Sequence, residues 1–133
     1  MASILLIDDE PDVRDSVAKV LGREGYEVVS AENAKHGLEL LGTRTFDILI
    51  TDIIMPDIDG VQAIQQVRES NPDIKIVAIS GGGNFGPKSY EPQAITTTAY
   101  LQAATEAGAD RVLTKPFQRA DIVDTVRQLV QPA

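Results

Sequence analysis

The chain has 133 residues, with 20 acidic against 12 basic side chains, a formal net charge of −8 and no cysteine. That length suits one domain able to bury roughly two thirds of its unfolded surface. The acidic balance speaks against nucleic acid and anionic membrane as direct partners, since both require clustered Lys and Arg, and the lack of cysteine excludes disulfides, thiolate metal sites and a cysteine nucleophile.

The first element is the apolar run Ser3-Ile4-Leu5-Leu6-Ile7. It is too short for a signal peptide and reads as a strand buried on both faces. Asp8-Asp9-Glu10 follows, then Pro11 at a helix start, with Val13, Val17, Val20 and Leu21 at helical spacing. Gly22 and Gly25 are expected to stop that helix. Tyr26 to Ser30 is a second strand, and Ala34, Leu38 and Leu41 mark a second helix. Phe46 to Thr51 is the third strand. Val61, Ile64 and Val67 give the third helix, and Asn71-Pro72-Asp73 is a turn. Ile74 to Ile79 is a fourth strand ending at Ser80. A helix begins between Gln93 and Ala99 and runs to about Ala107, with Gly108 as its stop. Asp110 to Thr114 is the fifth strand, and Ile122, Val126, Leu129 and Val130 give the last helix its apolar face. No run is long enough to span a membrane, and a cytoplasmic protein is expected.

Alternation of strand and helix five times over predicts an α/β fold, a parallel sheet with helices on both faces. No repeat or linker divides residues 1–133, so one domain is expected. One connection is anomalous. Residues 81–92, Gly-rich and then Pro-containing, form an extended loop about twice the usual 2–6 residues.

Ligands of such sheets bind outside the carboxyl ends of the strands. Strand one offers Asp8 and Asp9 there, strand three Asp52, strand four Ser80 and strand five Lys115, followed by Pro116. Three carboxylates at neighbouring strand tips repel one another. A hard divalent cation relieves that, and few carboxylates with retained water is how Mg²⁺ is usually held. Such a cation makes Asp52 usable as a nucleophile toward phosphorus. Lys115 is a point charge suited to a phosphoryl oxygen, and the Ser80 hydroxyl can bond another.

With these residues in place the chain resembles the receiver domain of bacterial two-component response regulators. The resemblance rests on Ile7-Asp8-Asp9, on Asp52 in Asp-Ile-Ile-Met-Pro-Asp-Ile-Asp-Gly, on Ser80, and on Lys115-Pro116-Phe117. It covers essentially the whole chain. It implies a flavodoxin-like five-stranded sheet of order 2-1-3-4-5 with five helices. It also implies that Asp52 accepts a phosphoryl group from the phosphohistidine of a histidine kinase or histidine phosphotransfer protein. Asp9, Asp52 and the backbone carbonyl of Ile54 would ligate Mg²⁺, with Asp8 acting mainly through water. Ser80 and Lys115 would sense the phosphoryl group, and the Lys115–Pro116 bond would be cis. The chain would catalyse only its own phosphorylation and dephosphorylation. It is expected to be a stand-alone receiver that signals to a downstream protein by contact, through the fourth helix, fifth strand and fifth helix, or by phosphorelay.

Three positions set this chain apart within the family pattern. Val112 stands where an aromatic switch residue is usual, three residues before Lys115. Ile54 and Gly82 occupy positions that govern attack of water on the acyl phosphate. An apolar Ile54 cannot orient that water, so dephosphorylation without a partner is expected to be slow. The competing reading is a small Mg²⁺-dependent phosphatase or nucleotide-binding protein of similar fold. Gly81-Gly82-Gly83-Asn84-Phe85-Gly86 matches G-x-G-x-x-G, but Pro87 spoils the helix start that a phosphate needs. His36, the single histidine, lies on the second helix and reads as a surface residue.

Overall fold

A computed structural model describes residues 2–53, 60–80, 102–114 and 117–130. The five expected strands become β1 (Ser3–Ile7), β2 (Glu27–Ala31), β3 (Ile48–Asp52), β4 (Lys75–Ser80) and β5 (Arg111–Thr114). All pair in parallel, in the order β2-β1-β3-β4-β5. The helices are α1 (Pro11–Arg23), α2 (Ala34–Leu41), α3 (Gly60–Ser70), α4 (residues 102–107) and α5 (Arg119–Val130). The expected class, strand order and five helices are present.

Continuous apolar strands work here because the sheet is covered twice. Ile4, Leu6, Ile48, Ile50, Val77 and Ile79 point to one face and pack with Val17 and Leu21 of α1 and Ile122 and Val126 of α5. Their neighbours Leu5, Ile7, Leu49, Ile76 and Ala78 point to the other face, against Ile64 and Val67 of α3 and Ala104 of α4. Leu38 and Leu41 of α2 lie against the same cluster. Successive strand side chains alternate between faces, so only an unbroken apolar run serves both. Each fully buried Leu or Ile contributes about 1.5–3 kcal/mol.

Boundaries differ from the sequence reading in small ways, each with a cause. The first helix runs through Gly22 to Arg23. The turn is made by Gly25, whose φ of 96° is a left-handed conformation that glycine adopts without strain. Tyr26 does not join β2, because its N–H closes the helix end on the Leu21 carbonyl at 3.3 Å. Asn33 caps α2 by accepting the His36 N–H at 2.8 Å. His36 is thus in the first turn of α2 and partly buried. Gly108 ends α4 as expected, its N–H returning to Ala104 and Thr105. The extended loop of residues 81–92 and the start of the helix after it lie outside the described residues.

The amino-terminal end of the sheet is tied by one arginine. Arg68, at the end of α3, donates to the carbonyls of Pro72, Ile74 and Gly108 at 2.7–2.8 Å and pairs with Asp110 at 3.0 Å. Asp110 in turn accepts the Ile76 N–H at 2.8 Å. This network locks the α3–β4 and α4–β5 connections.

Candidate functional site

Register brings the chemistry together. Ile7 pairs with Thr51 and Asp52 with Ile79, while Ser80 pairs with Thr114. The carboxyl ends of β1, β3, β4 and β5 therefore finish at one edge. Chain order reverses between β1 and β3, because β2 lies outside β1 and the chain then returns to place β3 on its other side. Asp8 and Asp52 flank that reversal, the crevice where open α/β sheets bind ligands.

Asp52 is held inside the ladder rather than beyond it. The Ile53 N–H bonds the Ile79 carbonyl at 3.0 Å, one step past Asp52. Gly60 then returns to the same point, its N–H on the Ile53 carbonyl at 3.2 Å. A Cβ at Gly60 would collide with the Cα, carbonyl carbon and carbonyl oxygen of Ile53. Only a residue without a side chain lets α3 start so close to the strand. Asp52 is 2% exposed.

Asp8 is fully buried. Its N–H donates to the Ala31 carbonyl at 3.2 Å. Its Oδ1 accepts the Glu10 N–H at 2.9 Å, and its carbonyl accepts Nη1 of Arg14 at 2.7 Å. Asp9 is exposed and Glu10 partly buried. One carboxylate oxygen from each of Asp8, Asp9, Glu10 and Asp52 lies within 4.8 Å of the other three.

Buried carboxylates are tolerated only when compensated by hydrogen bonds, counter-charge or a metal. The donor set at this point is entirely carboxylate oxygen. It fits a hard cation such as Mg²⁺, and it suits a softer metal poorly. Glu10 was not among the residues singled out from the sequence. Its adjacency to Asp8 and Asp9 was the available signal, obscured because an acidic residue before a helix ordinarily serves the helix end. In the structure Glu10 occupies the cap position of α1 with no side-chain cap hydrogen bond.

Of the other expected site residues, Ser80 ends β4 by its backbone, and its side chain lies outside the described residues, as do Ile54, Gly82, Lys115 and Pro116. The segment of residues 54–59 after Asp52 is likewise outside them. Val112, where the aromatic switch is usual, is 38% exposed and pairs with Ala78.

Comparison with known proteins agrees with this geometry. A family model described as a response regulator receiver domain matches residues 4–127. The response regulator receiver protein CpdR of Brucella abortus is 32% identical over 130 residues, covering 98% of each chain. Among solved structures, a CheY-like receiver domain protein from Methanospirillum hungatei superposes with a TM-score of 0.80 at 26% identity, covering 96% of this chain and 92% of that one. The response regulator TrrA of Thermotoga maritima, solved in complex with Mg²⁺ and BeF, superposes with a TM-score of 0.79 at 28% identity, covering 98% of this chain and all of that one. None of these matches favours the phosphatase or nucleotide-binding alternative. Among the described residues, no helix is long and apolar enough to cross a membrane.

Proposed function

The chain belongs to the response regulator receiver family, and from that premise we propose that Asp52 is its phosphoacceptor. The observation that carries the proposal is the gathering of Asp8, Asp9, Glu10 and Asp52 within 4.8 Å at the reversal point of the sheet. The donor is a phosphohistidine on a histidine kinase or a histidine phosphotransfer protein. A carboxylate oxygen of Asp52 forms the new bond to phosphorus. The phosphorus–nitrogen bond breaks, and the imidazole leaves with its electron pair and takes up a proton. The product is an acyl phosphate on Asp52.

Mg²⁺ would be held by Asp9 and Asp52, with Asp8 close by and the Ile54 carbonyl completing the set, and when bound it supplies the positive charge that lets an anionic nucleophile meet an anionic phosphoryl group. The chain's own residues do the rest. Asp8 is pinned through its N–H, its carbonyl and its carboxylate, so the cradle is formed before a cation arrives. The ladder bond beyond Asp52 fixes the nucleophile. Ser80 ends β4 and Lys115 follows β5 in the sequence, and they complete the reading as the groups that meet the phosphoryl oxygens. We treat residues 1–133 as one receiver domain, supported by one sheet with an apolar cluster on each face. Its output is contact with a downstream protein or relay of the phosphoryl group.

Incubation with acetyl phosphate and Mg²⁺, followed by intact-mass measurement, tests this. One added phosphoryl group, lost in Asp52→Asn and in the absence of Mg²⁺, is the expected result. Continuous release of phosphate from free esters without a labelled chain would overturn it.

A further inference from the structure

Arg14 is out of place by ordinary helix electrostatics. It is the fourth residue of α1, near the positive end of the helix dipole, where a cation is disfavoured. The structure supplies the compensation. The Arg14 guanidinium reaches back six residues to the Asp8 carbonyl at 2.7 Å, while its backbone N–H makes only the ordinary first bond of the helix, to the Glu10 carbonyl at 2.9 Å. The guanidinium therefore ties the start of Asp8-Asp9-Glu10 to the first turn of α1. Within that stretch, the Glu10 N–H holds Asp8 Oδ1 at 2.9 Å.

Three consecutive acidic residues, with a fourth carboxylate opposite, push each other apart. A turn left to itself would open to separate them. This bond from Arg14 goes to a backbone carbonyl, so it restrains the turn without itself occupying a carboxylate oxygen.

We propose that Arg14 is a positioning residue that holds the acidic β1–α1 turn in the geometry that receives a divalent cation. This rests on the reading of the carboxylate cluster as an Mg²⁺ site. Positioning and charge make opposite predictions. A guanidinium acting only through its charge repels a cation, so neutralising it tightens Mg²⁺ binding. A guanidinium acting through the Asp8 carbonyl pre-forms the cradle, so removing it weakens binding. Residues that orient metal ligands typically change affinity about 10–100-fold when lost.

The test is Mg²⁺ titration of the folded protein, followed through the backbone amide resonances of Asp9 and Glu10. It compares wild type with Arg14→Met and Arg14→Gln, which are both neutral and too short to reach Asp8 as arginine does. Hydrogen exchange at the Glu10 amide is measured alongside. Mg²⁺ affinity is expected to fall about tenfold in both variants, with faster exchange at Glu10. Should Arg14→Met fail to fold, Arg14→Gln decides alone. A folded neutral variant that binds Mg²⁺ as tightly as wild type, or more tightly, overturns the proposal. A wild-type protein whose Asp9 and Glu10 resonances do not respond to Mg²⁺ overturns the cation-site reading instead, and the role of Arg14 with it.

Discussion

The two ends of the sheet handle acidic groups in opposite ways. At the amino-terminal end, Asp110 meets Arg68 at 3.0 Å and accepts the Ile76 N–H, and three further donors of Arg68 are spent on carbonyls. Opposite charges and open carbonyls are matched there, and the result is a joint. At the carboxyl end, four carboxylates crowd within 4.8 Å, two of them buried. Like charges are gathered there, and the result is the candidate site. A fold can hold such a concentration at one end because the other end is closed tightly, which is the usual division between a stable scaffold and a costly functional site.

The sharpest break in this contrast comes from Asp52→Asn. It is expected to abolish acetyl-phosphate labelling altogether, read by intact mass. It should also weaken the rise in thermal stability that Mg²⁺ produces. In wild type, Mg²⁺ at about ten times its Kd is expected to add about 1.4 kcal/mol, read by thermal unfolding with and without a chelator. A wild-type protein indifferent to Mg²⁺ would remove the contrast between the ends.

Gly60→Ala probes how the site end is built. Its Cβ meets the Ile53 backbone, so α3 or the tip of β3 must shift. Overpacking of this kind costs about 1–3 kcal/mol, and labelling of Asp52 should slow in step. A variant with wild-type stability and labelling would show that the close approach has no consequence.

Arg68→Ala probes the other end. The pair is mostly buried, with side chains 26% and 31% exposed, and its loss leaves carbonyls and Asp110 short of partners. About 2 kcal/mol of stability should be lost, measured by denaturant unfolding. Under conditions where the variant stays folded, the labelling rate should be unchanged. Slowed labelling in that folded protein would mean the two ends are coupled rather than divided.

The smallest effect concerns Glu27, at the start of β2. Arg44 lies 2.7 Å away and holds the Glu27 carboxyl below its ordinary value of 4.5 by hydrogen bond and charge. A lowered folded value means that the contribution is present above the ordinary carboxylate range and disappears as pH falls through the folded value. The pair is exposed and screened by solvent. Between neutral and acid pH, Glu27→Gln should therefore lose slightly less stability than wild type. A larger acid loss in the variant would reverse the sign of this interaction.

Much of this molecule was legible in the chain. Apolar runs of five or six residues identify the central strands β1, β3 and β4, because a doubly covered parallel strand leaves no polar face to interrupt the run, whereas the edge strands β2 and β5 carry polar residues and are legible mainly from their place in the alternation. Asp8, Asp9 and Asp52 were legible for the same reason: a carboxylate directly after such a run stands at a strand tip. Gly22 misled because a helix with a well-packed apolar face tolerates one glycine at modest cost, and it is the positive φ at Gly25 that ends the helix. Glu10 and Arg14 were missed. Their roles depend on where a side chain turns after the strand ends, and no periodicity records that.

The sequence by itself determined the class of fold, the order of its elements and the kinds of group that arrive at the strand tips. These follow from local pattern, through alternation, capping and the placement of charge after apolar runs. That β1 lies between β2 and β3 came to the sequence reading only through the family resemblance, and the tertiary structure shows what it achieves: Asp8 and Asp52 share one crevice. Only the tertiary structure decided that Glu10 joins them, and that Arg14 grips the turn from the helix. The physical reason is that each of these depends on register and packing between segments far apart in the chain, where energy is shared among many contacts and no single residue carries the signal.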